Sequence, residues 1–432
     1  MTTNLRKTRT AVLSAVAALL LAVTGTALYV GSSDRSGQNR MWLDSWSTAQ
    51  MAAVDVLGPN WSTEGFADHT IRQTVRPTLA GESVRITLSN LFGDRPLSIA
   101  AATIAHTAEG AAVRSGTVRP LSFSGSPAAV IPSGTELTSD AAVYPVNARQ
   151  PITVTLYLNE ATGPATFHFL GNTTTYRAAG DHSTDIEGAA FTESDKSWYY
   201  LAGIEVFGAP NRDGVVTFGD SLTDGAGAGI DADNRYPDAL ADRLAVTDRP
   251  RAVLNNGIGG NRIVSDSDYV GQRAATRFRR DVLDKDGIGT VILLSGINDI
   301  GASELPEPWL RPNPEVTADQ LIAEYQLLIQ MARDDGLRVI GGTLLPYRGA
   351  PYYSERGERV RDAVNSWIRS SGEFDAVIDF ERALADPSDP DSLAEQFDSG
   401  DHLHPGPAGY SAMAEAAALV LNGTDEQSMH KK

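Results

Sequence analysis

The hydrophobic pattern of this chain changes character midway. From about Trp42 to Gly208 it runs in short apolar segments broken by Gly, Pro, Asn and Asp: His69–Val75, Ser83–Leu91, Ile152–Leu158, Thr166–Leu170 and Trp198–Phe207. Ser83–Leu91 alternates polar and apolar residues, the period of a strand with one buried face. No helical periodicity interrupts these runs, so the segment 41–210 is expected to be an all-β sandwich of jelly-roll type.

Past Ala209-Pro210-Asn211-Arg212, apolar strand-like runs alternate with helical patterns. Gly214–Phe218, Ala252–Leu254, Thr290–Leu294, Val339–Leu345 and Ala376–Phe380 read as strands. Tyr236–Leu244, Gln272–Leu283, Ala318–Asp335, Glu355–Ile368 and Pro407–Leu421 read as helices. In Ala318–Asp335, Leu321, Ile322, Tyr325, Leu328 and Ile329 fall on one face. Pro407 opens the last helix, where its missing N–H costs nothing. Such alternation predicts an α/β fold, a parallel sheet with helices on both faces, over residues 211–422. Residues 423–432 read as a disordered tail.

The N-terminus has its own pattern. Arg6, Lys7 and Arg9 precede an uncharged apolar run from Ala11 to Val30, followed by a polar stretch. Residues 1–31 therefore read as an export signal or, uncleaved, a membrane anchor, and 32–40 as a linker. Either way the remainder is expected outside the cytoplasm, secreted or anchored facing outward.

Composition narrows the chemistry. The net charge of −18 repels phosphate backbones and excludes nucleic acid as the expected partner. The absence of Cys removes disulfides, thiolate nucleophiles and Cys-based metal sites. No HExxH, P-loop or GxSxG string is present. Asp231-Ala232-Asp233-Asn234 lacks the spacing of a calcium loop and reads as a solvated turn, as Asp386–Asp391 reads as a surface loop. No metal and no cofactor is expected.

In open α/β sheets ligands bind beyond the C-terminal strand ends. Three predicted strands there run into Gly219-Asp220-Ser221-Leu222, Asn256-Gly257-Ile258-Gly259-Gly260-Asn261 and Ser295-Gly296-Ile297-Asn298-Asp299. Asp401-His402-Leu403-His404-Pro405 precedes the last helix. Each has an ordinary structural reading: Ser221 as a helix cap, Gly260 as a tight-turn residue, Asn298 and Asp299 as cap or turn residues. Together, in this order, they resemble the SGNH (GDSL) hydrolase superfamily, and the resemblance covers Gly214 to Leu421.

That resemblance implies a flavodoxin-like three-layer fold and a serine esterase. Ser221 matches the nucleophile, Asp401 and His404 the triad acid and base, and the Ser221 and Gly260 N–H groups with the Asn298 carboxamide the oxyanion hole. His402 lacks the matching context, and His69, His106, His168, His182 and His430 are expected to be ordinary surface or core residues. The chain looks most like extracellular arylesterases/acylhydrolases that also carry an N-terminal β region. A Glu often precedes the Gly-Ile-Asn-Asp block in that subgroup; Ser295 stands here instead, a departure that bears on substrate contacts.

The expected activity is hydrolysis of carboxylic esters on small molecules or polysaccharide, with lipid acyl esters as the enzymatic alternative. A surface carbohydrate-binding protein with a silent hydrolase domain is the alternative of another class. Trp42, Trp46 and Trp61 are candidates either for sugar stacking or for packing.

Overall fold

A computed structural model of the chain describes residues 40–429, apart from 209–212, 248, 306, 308–310 and 312. The segments expected to be export signal and linker, and the expected boundary at 209–212, lie outside the described residues. From Met41 onward the chain forms one compact unit.

Residues 41–208 contain no helix. They build a five-stranded and a six-stranded antiparallel sheet. The first joins Met41–Ser47, Leu201–Gly208 and Gly81–Ser89; the second is centred on His69–Val75 and Ile152–Leu158. Gly81–Ser89 shows why. Val84, Ile86 and Leu88 are fully buried, while Arg85 turns outward to pair with Glu205 at 2.6 Å. Ile71, Ile104, Val154 and Leu156 of the other sheet join the same apolar core. Burying each such side chain contributes about 1.5–3 kcal/mol, so a register slip of one residue would expose the whole row. The strand predicted over Thr166–Leu170 pairs only at Phe167–His168, because the chain turns away there toward the second half.

The second half is built on five parallel strands: Gly214–Gly219, Val253–Gly257, Ile288–Leu294, Arg338–Gly342 and Ala376–Ile378. Their spatial order is second, first, third, fourth, fifth, the flavodoxin-like arrangement. Val291, Ile292, Leu293 and Leu294 are all buried, so both sheet faces are covered, as the unbroken apolar run predicts. Tyr236–Ala245 packs with the last helix, and Ala318–Asp334 with Glu355–Ser370. Thr317 and Gln320 cap Ala318–Asp334 reciprocally.

Three elements differ from the sequence reading. Gln272–Leu283 is a short α-helix, Ala274–Phe278, that widens into a π-turn over Arg279–Leu283. The acidic run near Asp386 forms a hairpin, Ala385–Asp386 with Asp389–Leu393, whose Asp389 accepts from Arg348 at 2.5 Å. The last helix, Pro407–Met429, continues past Leu421. Among the described residues no helix is long and apolar enough to cross a membrane.

The two halves share polar and apolar contacts. Ser47 donates to Asn256 Oδ1 at 3.0 Å, Asp44 accepts from the Asp286 amide at 2.7 Å, and Ala252 and Ile258 pack into the core of the β half.

Candidate active site

The first parallel strand ends at Gly219, where a Cβ would lie 2.0 Å from the Leu294 carbonyl oxygen; only glycine fits. Asp220 then caps a single helical turn, Ser221–Asp224, accepting from the Leu222 amide at 3.1 Å. Gly225, at φ +110°, closes it. The helix expected at Ser221 is thus one turn long. Ser221 is 5 % exposed, so its hydroxyl is reached only through the pocket it lines.

The loop Asp398–Pro405 brings the other members. Asp401 Oδ1 accepts from the Leu403 and His404 amides at 2.9 and 2.8 Å, and Oδ2 from His404 Nδ1 at 2.6 Å. His404 Nε2 lies 2.9 Å from Ser221 Oγ. A carboxylate facing Nδ1 fixes the proton there, which leaves Nε2 with a lone pair directed at the hydroxyl. Burial works to raise the Asp401 pKa, but the bonds from the His404 ring and the two amides outweigh it and hold the carboxyl well below its usual range. His402 is turned elsewhere: Nδ1 pairs with Asp398 at 2.7 Å and the ring is largely exposed.

Gly260 and Asn298 line the same pocket as Ser221 and His404. Gly260 has φ +76°, and a Cβ there would sit 2.6 Å from Val270 Cγ1, so close approach and positive φ both require glycine. Asn298 Nδ2 donates to the Asn261 carbonyl at 3.1 Å, which leaves its second hydrogen for the pocket, and the Tyr352 hydroxyl approaches its Oδ1 at 3.4 Å. Ser221 is the first residue of its turn, so its amide has no intrahelical acceptor. Four of the five sequence-predicted residues, Ser221, Gly260, Asn298 and His404, line one pocket at the switch point between the first and third strands, and Asp401 joins them through the His404 ring.

Asp299, read from the sequence as a cap or turn residue, and several residues that the sequence did not single out support the site. The Asp299 carboxylate accepts from the Ile263 and Val264 amides, both at 2.9 Å, and so ties the Asn298 turn to the Gly260 loop. Arg277, fully buried, donates to the carbonyls of Gly219 and Asn256 and to Asn261 Oδ1, joining the ends of two strands. Burial raises the carboxyl of Asp220 to about 7 and that of Asp299 to about 6. His168, expected to be ordinary, bonds Asp224 of the Ser221 turn at 2.9 Å. Its partner is far away in sequence and no motif marks it. Ser295 is buried and lies outside the pocket lining, with its carbonyl taken by the Tyr325 hydroxyl.

The pocket has a volume of about 260 Å³. Its walls are largely apolar, with Val270, Leu305 and Leu403 from the α/β half and Leu57, Phe169 and Leu170 from the β half. The tryptophans weighed for sugar stacking pack instead: Trp46 edge-on to Trp198, Trp61 on Tyr199, Trp42 against Phe207. Among the described residues one acidic trio has metal-ligating spacing, Glu358, Asp362 and Asp391, and the Arg361 guanidinium sits among them as the cation. Asp231 accepts from Thr174, and Asp233 pairs with Arg76.

Residues 217–412 match the family described as GDSL-like lipase/acylhydrolase. A GDSL-like lipase from Bacteroides thetaiotaomicron is similar in structure at 17% identity, with a TM-score of 0.37, over 49% of this chain and 89% of its own. A variant of an acetyl xylan esterase from Geobacillus stearothermophilus is similar at 21% identity, with a TM-score of 0.37, over 48% of this chain and 94% of its own. No curated protein sequence matches the chain. The parallel-stranded half, with Ser221 after its first strand, has the SGNH hydrolase fold, and it is this half that matches the GDSL-like lipase/acylhydrolase family.

Proposed function

We propose that the protein hydrolyses carboxylic esters through an acyl-enzyme on Ser221. The observation that carries this reading is the unbroken relay from Asp401 through His404 to Ser221, at 2.6 and 2.9 Å. A serine hydroxyl attacks an ester carbonyl only as a base removes its proton. His404 Nε2 takes that proton, and Asp401 stabilises the resulting imidazolium. The tetrahedral oxyanion is held by the Ser221 and Gly260 N–H groups and Asn298 Nδ2. His404 then returns the proton to the leaving alcohol, and water, activated by the same ring, releases the acid. Each oxyanion donor of this kind contributes on the order of a hundredfold to a thousandfold in rate.

The apolar pocket favours an ester with an apolar acyl or aryl group, carried on a small molecule or a polysaccharide. Its lining also favours the second reading, a lipid-type acylhydrolase, and a series of acyl lengths separates the two. Export is part of the proposal and rests on the basic and apolar N-terminal pattern; N-terminal sequencing of protein recovered from culture medium tests it.

The test of activity is release of p-nitrophenol from its acetate and butyrate esters. Wild type should turn both over, and Ser221→Ala should lose roughly 10⁴-fold or more in kcat. Equal rates would refute the reading.

A further inference from the structure

The β half reaches the candidate site through the short segment Phe167–Asn172, with Leu57 as a further wall residue. Asn172 Nδ2 donates to the Gly225 carbonyl at 2.9 Å, at the end of the Ser221 turn. Leu170 packs against Gly259, 2.8 Å from where a Cβ would stand. In the same segment His168 is buried with its ring on Trp198, centroids 5.7 Å apart. Its Nδ1 faces the Ala49 carbonyl at 2.8 Å and its Nε2 faces Asp224 Oδ1 at 2.9 Å. The carbonyl can only accept, so Nδ1 carries a hydrogen. Nε2 faces a carboxyl group, so a proton lies between the two in either charge state. The second oxygen of Asp224 accepts the Gly259 amide at 2.7 Å. Both side chains of the pair are 2 % exposed, and water does not compete for them.

The residue held by Asp224 adjoins a working one: the peptide joining Gly259 to Gly260 carries the Gly260 N–H, one of the proposed oxyanion donors. Two consecutive glycines give a backbone with little stiffness of its own. A donor stabilises a transition state only when held in place beforehand, which requires anchoring from outside the loop. Asp224 supplies the anchor, and His168 fixes Asp224.

We propose that His168 is a positioning residue of the esterase reaction: through Asp224 it holds the Gly259–Gly260 peptide, so the β half is part of the active site rather than an appendage. This rests on the esterase reading above. A purely adhesive pair would affect how much protein folds; a positioning pair affects the rate of each folded molecule.

The experiment measures kcat and KM for p-nitrophenyl acetate per active site, with sites counted by the endpoint of fluorophosphonate labelling. His168→Ala should lower kcat per site about 10- to 100-fold and change KM less than about threefold, since the oxyanion exists only in the transition state. His168→Asn keeps a donor toward the Ala49 carbonyl and cuts the link to Asp224. It should show the same loss, and it serves where the alanine variant does not fold. Asp224→Ala removes the acceptor for the Gly259 amide itself, so its kcat per site should fall at least as far as in His168→Ala, with KM again changed less than about threefold. Per-site kcat within twofold of wild type in a folded His168 variant, or in a folded Asp224→Ala variant, would overturn the inference. A wild type that neither labels nor turns over would remove the esterase reading with it; a wild type that does both confines the failure to His168.

Discussion

The two halves of this molecule solve the problem of burying a sheet in opposite ways, and the chemistry tracks the difference. In the β half two antiparallel sheets cover each other, so each strand needs one apolar face and its loops are free to vary. In the α/β half a parallel sheet is buried on both sides, and every strand must exit at the same edge. That edge collects Ser221, Gly260 and Asn298 from three successive strand ends, with His404 and Asp401 delivered by the loop before the last helix. The β half contributes no member of the relay. It contributes a wall, Leu57, Phe169 and Leu170, and two buried bonds to the Ser221 turn, His168 to Asp224 and Asn172 to the Gly225 carbonyl. In the proposed reaction the chemistry belongs to one half, and shape and stiffness to the other.

This division can be broken or sharpened by substitution. The largest effect belongs to the relay. Asp401→Asn keeps the size of the side chain but no longer fixes the imidazole proton on Nδ1, and kcat should fall on the order of 10³–10⁴-fold with KM little changed. A loss below tenfold, measured on p-nitrophenyl butyrate, would mean that Asp401 does not orient the base.

A smaller effect should come from the wall. Phe169→Ala opens the pocket on the β side. The ratio of kcat/KM for octanoate over acetate esters should rise about tenfold, because each methylene accommodated contributes roughly 1–3 kcal/mol of discrimination. An unchanged ratio would mean that the β half does not shape the acyl site.

The smallest effect concerns the cost of the buried turn. Burial raises the Asp220 carboxyl from 3.8 to about 7, so between these values the folded protein holds a proton that the unfolded chain has lost. Stability contributed by this group is therefore full below about pH 4 and declines as pH rises toward 7. Asn does not titrate and keeps the carbonyl that accepts from Leu222. The melting temperature of Asp220→Asn relative to wild type should thus rise by about 2–5 °C between pH 5 and pH 8. A difference independent of pH would contradict the buried, proton-holding carboxyl.

The residues proposed for the relay and the oxyanion hole could be named from the sequence because each lies in a short block at a predicted strand end or just before the last helix, where the fold class dictates what faces the ligand. The parallel sheet was legible from its unbroken apolar runs, and the first β sheets from alternation such as Ser83–Leu91. What could not be read depends on contacts between distant segments. His168 looks like any strand histidine until Asp224 is set beside it, and nothing local marks Arg277 as the residue that joins two strand ends. The π-turn after Ala274–Phe278 also escaped, since apolar spacing does not distinguish it from a continuing α-helix. Thr166–Leu170 has the composition of a full strand, yet its last residues leave the sheet to build the pocket wall.

The central claim is that one particular hydroxyl is activated by the relay. Incubation of the wild-type protein with a fluorophosphonate, followed by digestion and mass spectrometry of the peptides, tests it directly. A single stoichiometric adduct on Ser221 is expected, formed far more slowly in His404→Ala. An adduct on another residue, or labelling of Ser221 at the same rate without the His404 ring, would contradict it.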